Sequence, residues 1–244
     1  MLSQPLKLRQ QPRPLRLPPN RRPKRRKANN LFARAFIAVI GLTIAFSGKA
    51  HAQKVSIQKG NLVVSTASGE SKTLTNSGHD SEPVLSPDGK WIAFVRTIPG
   101  KKISTGEGDA AATELWQIRA DGKEPTALVR AKESDKMEMV LAGFSKPQFS
   151  TDGKLVYFLS EAWTTSGALH VVDTTNGKEH FVCPAAEFEV VPSGQYRDHL
   201  LVQQHRYFIG GGSFDWFWLL KPDGKEIGPV GDDMENFKAT YLKE

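Results

Sequence analysis

Three side chains of types that bind zinc lie close together in the sequence: His170, His180 and Cys183. Structural zinc sites take four ligands and catalytic sites take three, so one or two further ligands at suitable spacing would be needed. Cys183 is the only cysteine of the chain, and a lone cysteine is more often a small buried hydrophobe. We therefore predict core or surface histidines, no metal site and no cofactor.

Aspartates recur along the chain in a way that could suggest carboxylates for acid–base catalysis. Asp88, Asp121, Asp152 and Asp223 each precede a glycine. Asp-Gly is typical of a tight turn, in which the aspartate bonds the backbone two residues on and glycine adopts a positive φ. The G-x-S-x-G turn that presents a nucleophilic serine does not occur in the sequence. These residues predict turns, no catalytic residue and a protein that is not an enzyme.

Aromatic side chains are concentrated around three consecutive glycines, residues 210–212. They are Tyr207, Phe208, Phe214, Trp216, Phe217 and Trp218. Trp216 and Trp218 share one face of a strand and Phe217 lies on the other, which favours burial on both faces. The alternative is a binding patch, for which Trp163, Phe208 and Phe214 are the candidate partner-binding residues, because aromatic side chains are good anchors in interfaces. The polar stretches 99–112 and 131–143 are predicted interaction loops.

The elements that must position these residues are hairpins of two alternating kinds. The first kind reads Pro-Val-Leu-Ser-Pro-Asp-Gly-Lys-Trp-Ile-Ala-Phe-Val over residues 83–95, recurs over 147–159 and returns in decayed form over 190–202. The second kind is a strand followed by a turn at Gly69, Gly122, Gly177 or Gly224. These glycines lie 53, 55 and 47 residues apart. A four-stranded propeller blade takes about 40–45 residues, so each interval fits one blade with an insertion.

The stretch Ser86 to Phe94, SPDGKWIAF, resembles the repeat of the TolB-type, WD-repeat-like propellers. The resemblance covers roughly residues 60–230 and implies an all-β fold, a β-propeller of about four four-stranded blades. It also implies a non-enzymatic protein-interaction module of the bacterial cell envelope, with envelope proteins as partners. The alternative is a propeller enzyme, or a protein that binds a small glycan or peptide ligand in a central cavity.

The resemblance does not determine how the ring of blades closes. The first blade lacks its opening half, and residues 236–242 are predicted to supply a closing strand. Without that strand the sheet edge stays open and invites pairing with a second chain, which predicts a possible dimer.

The N-terminal region has the composition of an export signal. Residues 1–52 hold twelve of the 33 basic side chains and none of the 26 acidic ones, which leaves residues 53–244 with a net charge of −5. Residues 35–46 are apolar but too few to span a bilayer, and Ala50-x-Ala52 predicts cleavage between Ala52 and Gln53. The expected domains are therefore a signal peptide over 1–52 and the propeller over 53–244. We expect a periplasmic or secreted protein with no nucleic-acid partner and no membrane span after cleavage; an uncleaved signal anchor is the alternative.

Overall fold

The computed structural model describes residues 53–66 and 68–242, so the predicted signal peptide and its cleavage site lie outside the described residues. The described chain forms one three-stranded and three four-stranded antiparallel sheets, each made of consecutive strands. We call these sheets blades 1 to 4, in chain order.

The strand bounds follow the predicted hairpins. Blade 1 consists of β1 (Lys54–Gln58), β2 (Asn61–Ser65) and β3 (Ser71–Thr73). Blade 2 consists of β4 (Asp80–Leu85), β5 (Trp91–Ser104), β6 (Asp109–Arg119) and β7 (Thr126–Val129). Blade 3 consists of β8 (Ser145–Phe149), β9 (Leu155–Trp163), β10 (Ser166–Asp173) and β11 (Glu179–Ala185). Blade 4 consists of β12 (Glu187–Val190), β13 (Leu200–Tyr207), β14 (Ser213–Leu220) and β15 (Glu226–Gly231).

Successive blades meet through their first strands and stack through their faces. β4 contacts both β1 and β8, and β8 contacts β12. Apolar clusters fill the spaces between neighbouring blades: Leu62 with Phe94 between blades 1 and 2, Leu115 with Phe158 between blades 2 and 3, and Leu169 with Trp218 between blades 3 and 4. Radial sheets that bury both faces against their neighbours are the architecture of a β-propeller. The predicted fold class is confirmed.

The two ends of the blade series do not close on one another within the described residues. Within residues 53–66 and 68–242, blade 1 has three strands, and its β2–Gly69–β3 hairpin corresponds to the third and fourth strands of the other blades. β1 does not pack against β12 in the way that it packs against β4.

The predicted closing strand over residues 236–242 is wrong, because this segment forms the helix α1 (Met234–Tyr241). Asp233 caps the helix by accepting a hydrogen bond from Asn236 N at 2.8 Å. Met234 and Phe237 lie three residues apart, on one side of a helix, and pack on Leu201 and Leu219 of blade 4. The helix therefore covers the outer face of the last blade, where a further blade would otherwise stack.

Candidate functional site

In a meander of antiparallel strands the connections alternate between the two ends of the sheet. The ends of the strands therefore form two different surfaces of the propeller, which carry different connections. One face, which we call the turn face, carries the short turns predicted from the sequence. The other, which we call the hairpin face, carries the connections between the second and third strands, at 105–108, 164–165 and 208–212, and the linkers between blades. Functional residues of a rigid scaffold are commonly found on its longer connections.

The turn face holds a cavity of about 260 Å³ that contains two of the recurrent aspartates, Asp88 and Asp152. Both carboxylates are already satisfied by their own turns. Asp88 accepts a hydrogen bond from Ser86 Oγ at 2.6 Å, and Asp152 accepts one from Ser150 Oγ at 2.7 Å. Hydrogen bonds, from Ser86 to Asp88 and from the Lys154 backbone to Asp152, lower the pKa of each carboxyl. Their geometry is that of turn formation.

The three residues of types that bind zinc are not brought together. His170 and Cys183 lie on opposite faces of blade 3, because His170 pairs with Phe181 and Cys183 pairs with Leu169. His180 is exposed. Within the described residues no three His, Cys, Asp or Glu side chains are grouped so that they could hold a metal. Burial raises the pKa of the Cys183 thiol to about 12, so the thiol stays protonated.

His170 forms a buried pair that the sequence did not suggest. Its Nδ1 lies 2.5 Å from Glu179 Oε1, and its ring stacks on Phe158 with centroids 5.6 Å apart. The side chain is fully buried and Nε2 has no hydrogen-bond partner among the described residues. Because no solute reaches the ring, this pair orients an imidazole inside the sheet stack and does not form an open site.

The hairpin face carries two cavities that share Glu161 and Gly167, with volumes of about 220 Å³ and 370 Å³. Glu161 is near the end of β9, immediately after the buried run Val156–Ser160. The smaller cavity is also lined by Glu107, from the tip of the β5–β6 hairpin of blade 2, and by Trp163. Two carboxylates and one indole therefore converge on the same space. Trp163, a candidate partner-binding residue, lines this cavity and meets Phe181 edge-on at 6.3 Å.

The position of Glu107 is fixed by direct contact between the hairpin tips of blades 2 and 3. Gly106 N donates to Ala162 O at 2.6 Å, and Thr164 Oγ1 donates to Gly106 O at 3.1 Å. A Cβ on Gly106 would lie 2.7 Å from Ala162 O, so only glycine permits this approach. The close contact between the two backbones holds the Glu107 tip against β9.

Glu161 is held by an equally close approach to the linker between blades 2 and 3. Its backbone N donates to Ala142 O at 2.9 Å. A Cβ on Gly143 would lie 2.5 Å from Glu161 Oε1, and Gly143 has a φ of +56°. The carboxylate therefore lies in the space that a side chain at position 143 would occupy.

The electrostatics of this pair of glutamates are unfavourable to the charged state. Partial burial and, after it, the negative charge of Glu107 raise the pKa of Glu161. No ion pair from a Lys or Arg of the described part of the chain reaches either carboxylate. A cation in the cavity would relieve both effects, because an opposite charge favours the carboxylate form.

The other two candidate partner-binding residues lie on blade 4. The rings of Phe208 and Phe214 pack at a tilt with centroids 4.6 Å apart, and Trp216 continues the row at 4.9 Å from Phe214. Phe217 and Trp218 are buried as expected, but Trp216 is 37% exposed, so the strand is not buried on both faces near its tip.

Comparisons with known proteins give only distant likenesses. No family model and no curated protein match the chain. Among solved structures, the β-propeller domain of the Trilobed protease from Pyrococcus furiosus, with an open velcro topology, is 17% identical over 74% of this chain and 52% of that one, with a TM-score of 0.49.

An oligogalacturonate lyase in complex with manganese is 14% identical over 72% of this chain and 43% of its own, with a TM-score of 0.49. A putative TolB from Agrobacterium tumefaciens is 20% identical over 55% and 45%, with a TM-score of 0.39. The chain thus spans about half the length of the solved structures that it resembles.

The fold is a β-propeller. The predictions of a non-enzymatic interaction module and of a protein that is not an enzyme are wrong, because the structures that share this likeness include a protease and a lyase. The blade repeat and its turn aspartates do not separate propellers that interact from propellers that catalyse. Activity must be inferred from the site of this chain alone.

Proposed function

We propose that the protein binds an organic ammonium ion, such as the free amino end of a short peptide, in the hairpin-face cavities around Glu107, Glu161 and Trp163. The observation that carries this proposal is the convergence on one cavity of two carboxylates that have no ion-pair partner among the described residues. Partial burial, and after it the charge of Glu107, raises the pKa of Glu161. An ammonium group would complete the site, because it carries a positive charge and can donate hydrogen bonds to both carboxylates.

The chemistry of the lining favours an organic cation over Ca²⁺. Two carboxylates supply at most four of the roughly six to eight oxygen ligands that Ca²⁺ takes. Trp163 offers an aromatic surface, which attracts ammonium groups through its π-face. Thr164, Thr165 and Ser166 add hydroxyl groups that can accept or donate further hydrogen bonds. The volumes, about 220 Å³ and 370 Å³, suit a ligand of the size of one or a few amino acids.

The raised pKa of Glu161 supports a second candidate function, proton transfer to or from the bound ligand. A carboxyl whose pKa lies closer to the working pH can both give and take a proton, which is the requirement for a general acid or base. Glu107 would then hold the ligand while Glu161 exchanges the proton.

Isothermal titration of the full chain with trialanine, and with N-acetyl-trialanine as the uncharged control, tests the proposal. We expect binding of trialanine only, and binding that weakens as pH falls below about 6, because the carboxylate form of Glu161 is the binding form; the titrations stay below pH 7, where the peptide α-amino group, with a pKa of about 7.7–8.0, keeps its charge. Glu161→Gln and Glu107→Gln should each weaken it by about tenfold or more, since a hydrogen bond to a charged group contributes about 1.5–3 kcal/mol.

Glu133→Gln, at an exposed position outside the cavity lining, is the matched control and should bind as the wild type does. Equal binding of both peptides, or loss of binding in all three variants alike, would remove the proposed ligand class. Chromatography of the peptide after incubation shows whether it is consumed, which separates binding from the second candidate function.

We also propose that the protein belongs to the TolB-type family and is exported from the cytoplasm. Both proposals are supported by the SPDGKWIAF repeat and by the composition of residues 1–52. N-terminal sequencing of the protein recovered from cells tests the predicted cleavage before Gln53. An envelope-protein partner stays a prediction.

A further inference from the structure

The most exposed apolar side chains of the described chain are concentrated on one hairpin. Of the six large hydrophobic residues that are exposed, four belong to the β13–β14 hairpin of blade 4: Tyr207, Phe208, Ile209 and Trp216. Tyr207 is 70% exposed and Ile209 is fully exposed at the apex. Together with Phe214 they form what we call the aromatic tip. Contiguous exposed apolar surface marks an interaction site more often than isolated apolar residues do.

The aromatic tip is electrically neutral. Residues 207–214 contain no charged side chain. The charged groups at its base are engaged within the protein, because Arg206 pairs with Glu226 at 2.5 Å and His205 contacts Asp215 at 2.8 Å. A surface that recognised a charged partner or anionic lipid headgroups would present unpaired charges of opposite sign. The charge pattern of the tip therefore matches an uncharged, apolar medium.

The area of the tip is too small for a stable contact with a second copy. A complete aromatic side chain offers about 150–250 Å² and a stable interface needs about 800 Å² per partner. Tyr207 and Ile209 are largely exposed, but Phe208 is only 53% exposed and Trp216 only 37%, so the four side chains together fall short of that area. A bilayer has no such threshold, because each apolar side chain that enters it contributes separately.

We propose that the aromatic tip inserts into the interface of a zwitterionic lipid bilayer. Ile209 and Phe208 enter the acyl boundary, while Tyr207 and Trp216 lie at the headgroup level, where aromatic rings with one polar end are enriched. The tip lies on the hairpin face, so insertion would turn the Glu107–Glu161 cavities toward the membrane surface. Among the described residues no helix is long and apolar enough to cross a membrane, and the inferred contact needs none.

Site-specific labelling of the full chain separates this contact from any contribution of residues 1–52. An environment-sensitive fluorophore is attached at Ile209→Cys and, as the matched control, at Asn176→Cys on the turn face. Cys183 is buried and protonated, so it competes little for the label. Phosphatidylcholine vesicles, with and without brominated acyl chains, are then added.

We expect a blue shift and bromine quenching at position 209 and neither at position 176. In unlabelled protein, the double substitution Phe208→Ser and Ile209→Ser should weaken vesicle binding by at least about tenfold, with an unchanged melting temperature, because two exposed side chains are lost from the interface. Adding anionic lipid should not strengthen the signal at position 209.

Three results would overturn the inference: an unchanged spectrum at position 209, equal quenching at both positions, or a tip-dependent dimer in sedimentation without vesicles. The peptide titration remains independent, because neither Phe208 nor Ile209 lines the ammonium site. Failure of one proposal therefore leaves the other standing.

Discussion

A buried ion pair in blade 2 gives the sharpest energetic prediction. The Asp80 side chain is fully buried and accepts two hydrogen bonds from Arg96, at 2.6 Å and 3.1 Å. The guanidinium lies over the Trp116 ring with its carbon 4.7 Å from the ring centroid. Asp80 also ties blade 2 to blade 1, because its backbone N donates to Gly60 O at 2.8 Å.

Asp80→Ala leaves the guanidinium of Arg96 without a partner in a partly desolvated position. Removing one member of a buried pair costs about 3–5 kcal/mol. Arg96 keeps 24% of its side chain exposed, so water can solvate it in part and we expect the lower end, about 3 kcal/mol. The free energy of unfolding of a natural domain is about 5–15 kcal/mol, so this loss should lower the urea midpoint substantially.

Urea denaturation of the wild type, Asp80→Ala and Glu187→Ala measures this difference. Glu187 forms an exposed pair with Lys146 at 3.3 Å, and its loss should cost less than about 1 kcal/mol. The double variant Asp80→Ala with Arg96→Met should recover much of the loss, since no unpaired charge remains. A cost below about 1 kcal/mol for Asp80→Ala, or no recovery in the double variant, would refute the reasoning.

Three further predictions concern the site, the thiol and the helix. The pKa of Glu161 is raised in the folded protein, so the folded state holds this proton to a higher pH than the unfolded state does. The free energy of unfolding therefore falls as pH rises through the pKa of the folded state. Glu161→Gln should therefore match the wild type in urea at pH 4 and exceed it at pH 8; the reverse order would contradict this. Cys183, with a pKa of about 12, should react with a thiol reagent at pH 8 only after denaturation, and fast labelling of the native protein would show that the thiol is accessible. Phe237→Ala should lower the free energy of unfolding by about 1–3 kcal/mol by removing ring contacts of α1 with blade 4, whereas Tyr241→Ala, at a half-exposed position, should cost less.

The blade scaffold could be predicted because its signals are local. Asp-Gly turns and the apolar runs beside them fix hairpins within about ten residues, and the regular glycine spacing fixes their alternation. Helix α1 was missed although Met234 and Phe237 have helical spacing, because a single turn of periodicity is weak against the expectation that a propeller closes with a strand. Blade 4 has an apolar face that must be covered, and a short amphipathic helix can bury that face. A strand would instead have paired with the edge of a sheet.

The site could not be predicted, because its geometry depends on contacts that are distant in sequence. Glu107 and Glu161 lie 54 residues apart in the sequence and come together only when the β5–β6 hairpin reaches blade 3. The available signals were slight: a glutamate between two glycines at a hairpin tip, and a charged residue just after the apolar run of a predicted strand. Trp163 was singled out as an anchor, yet its acidic neighbours were not.

Helix α1 also constrains how this array of blades can change in length. Stacked repeats can grow by duplication wherever the new unit finds an unoccupied neighbour. With Met234 and Phe237 seated on Leu201 and Leu219, an added blade after β15 would have to displace the helix first. Duplication of an internal blade meets no such obstacle, so variation in blade number is expected upstream of Asp233.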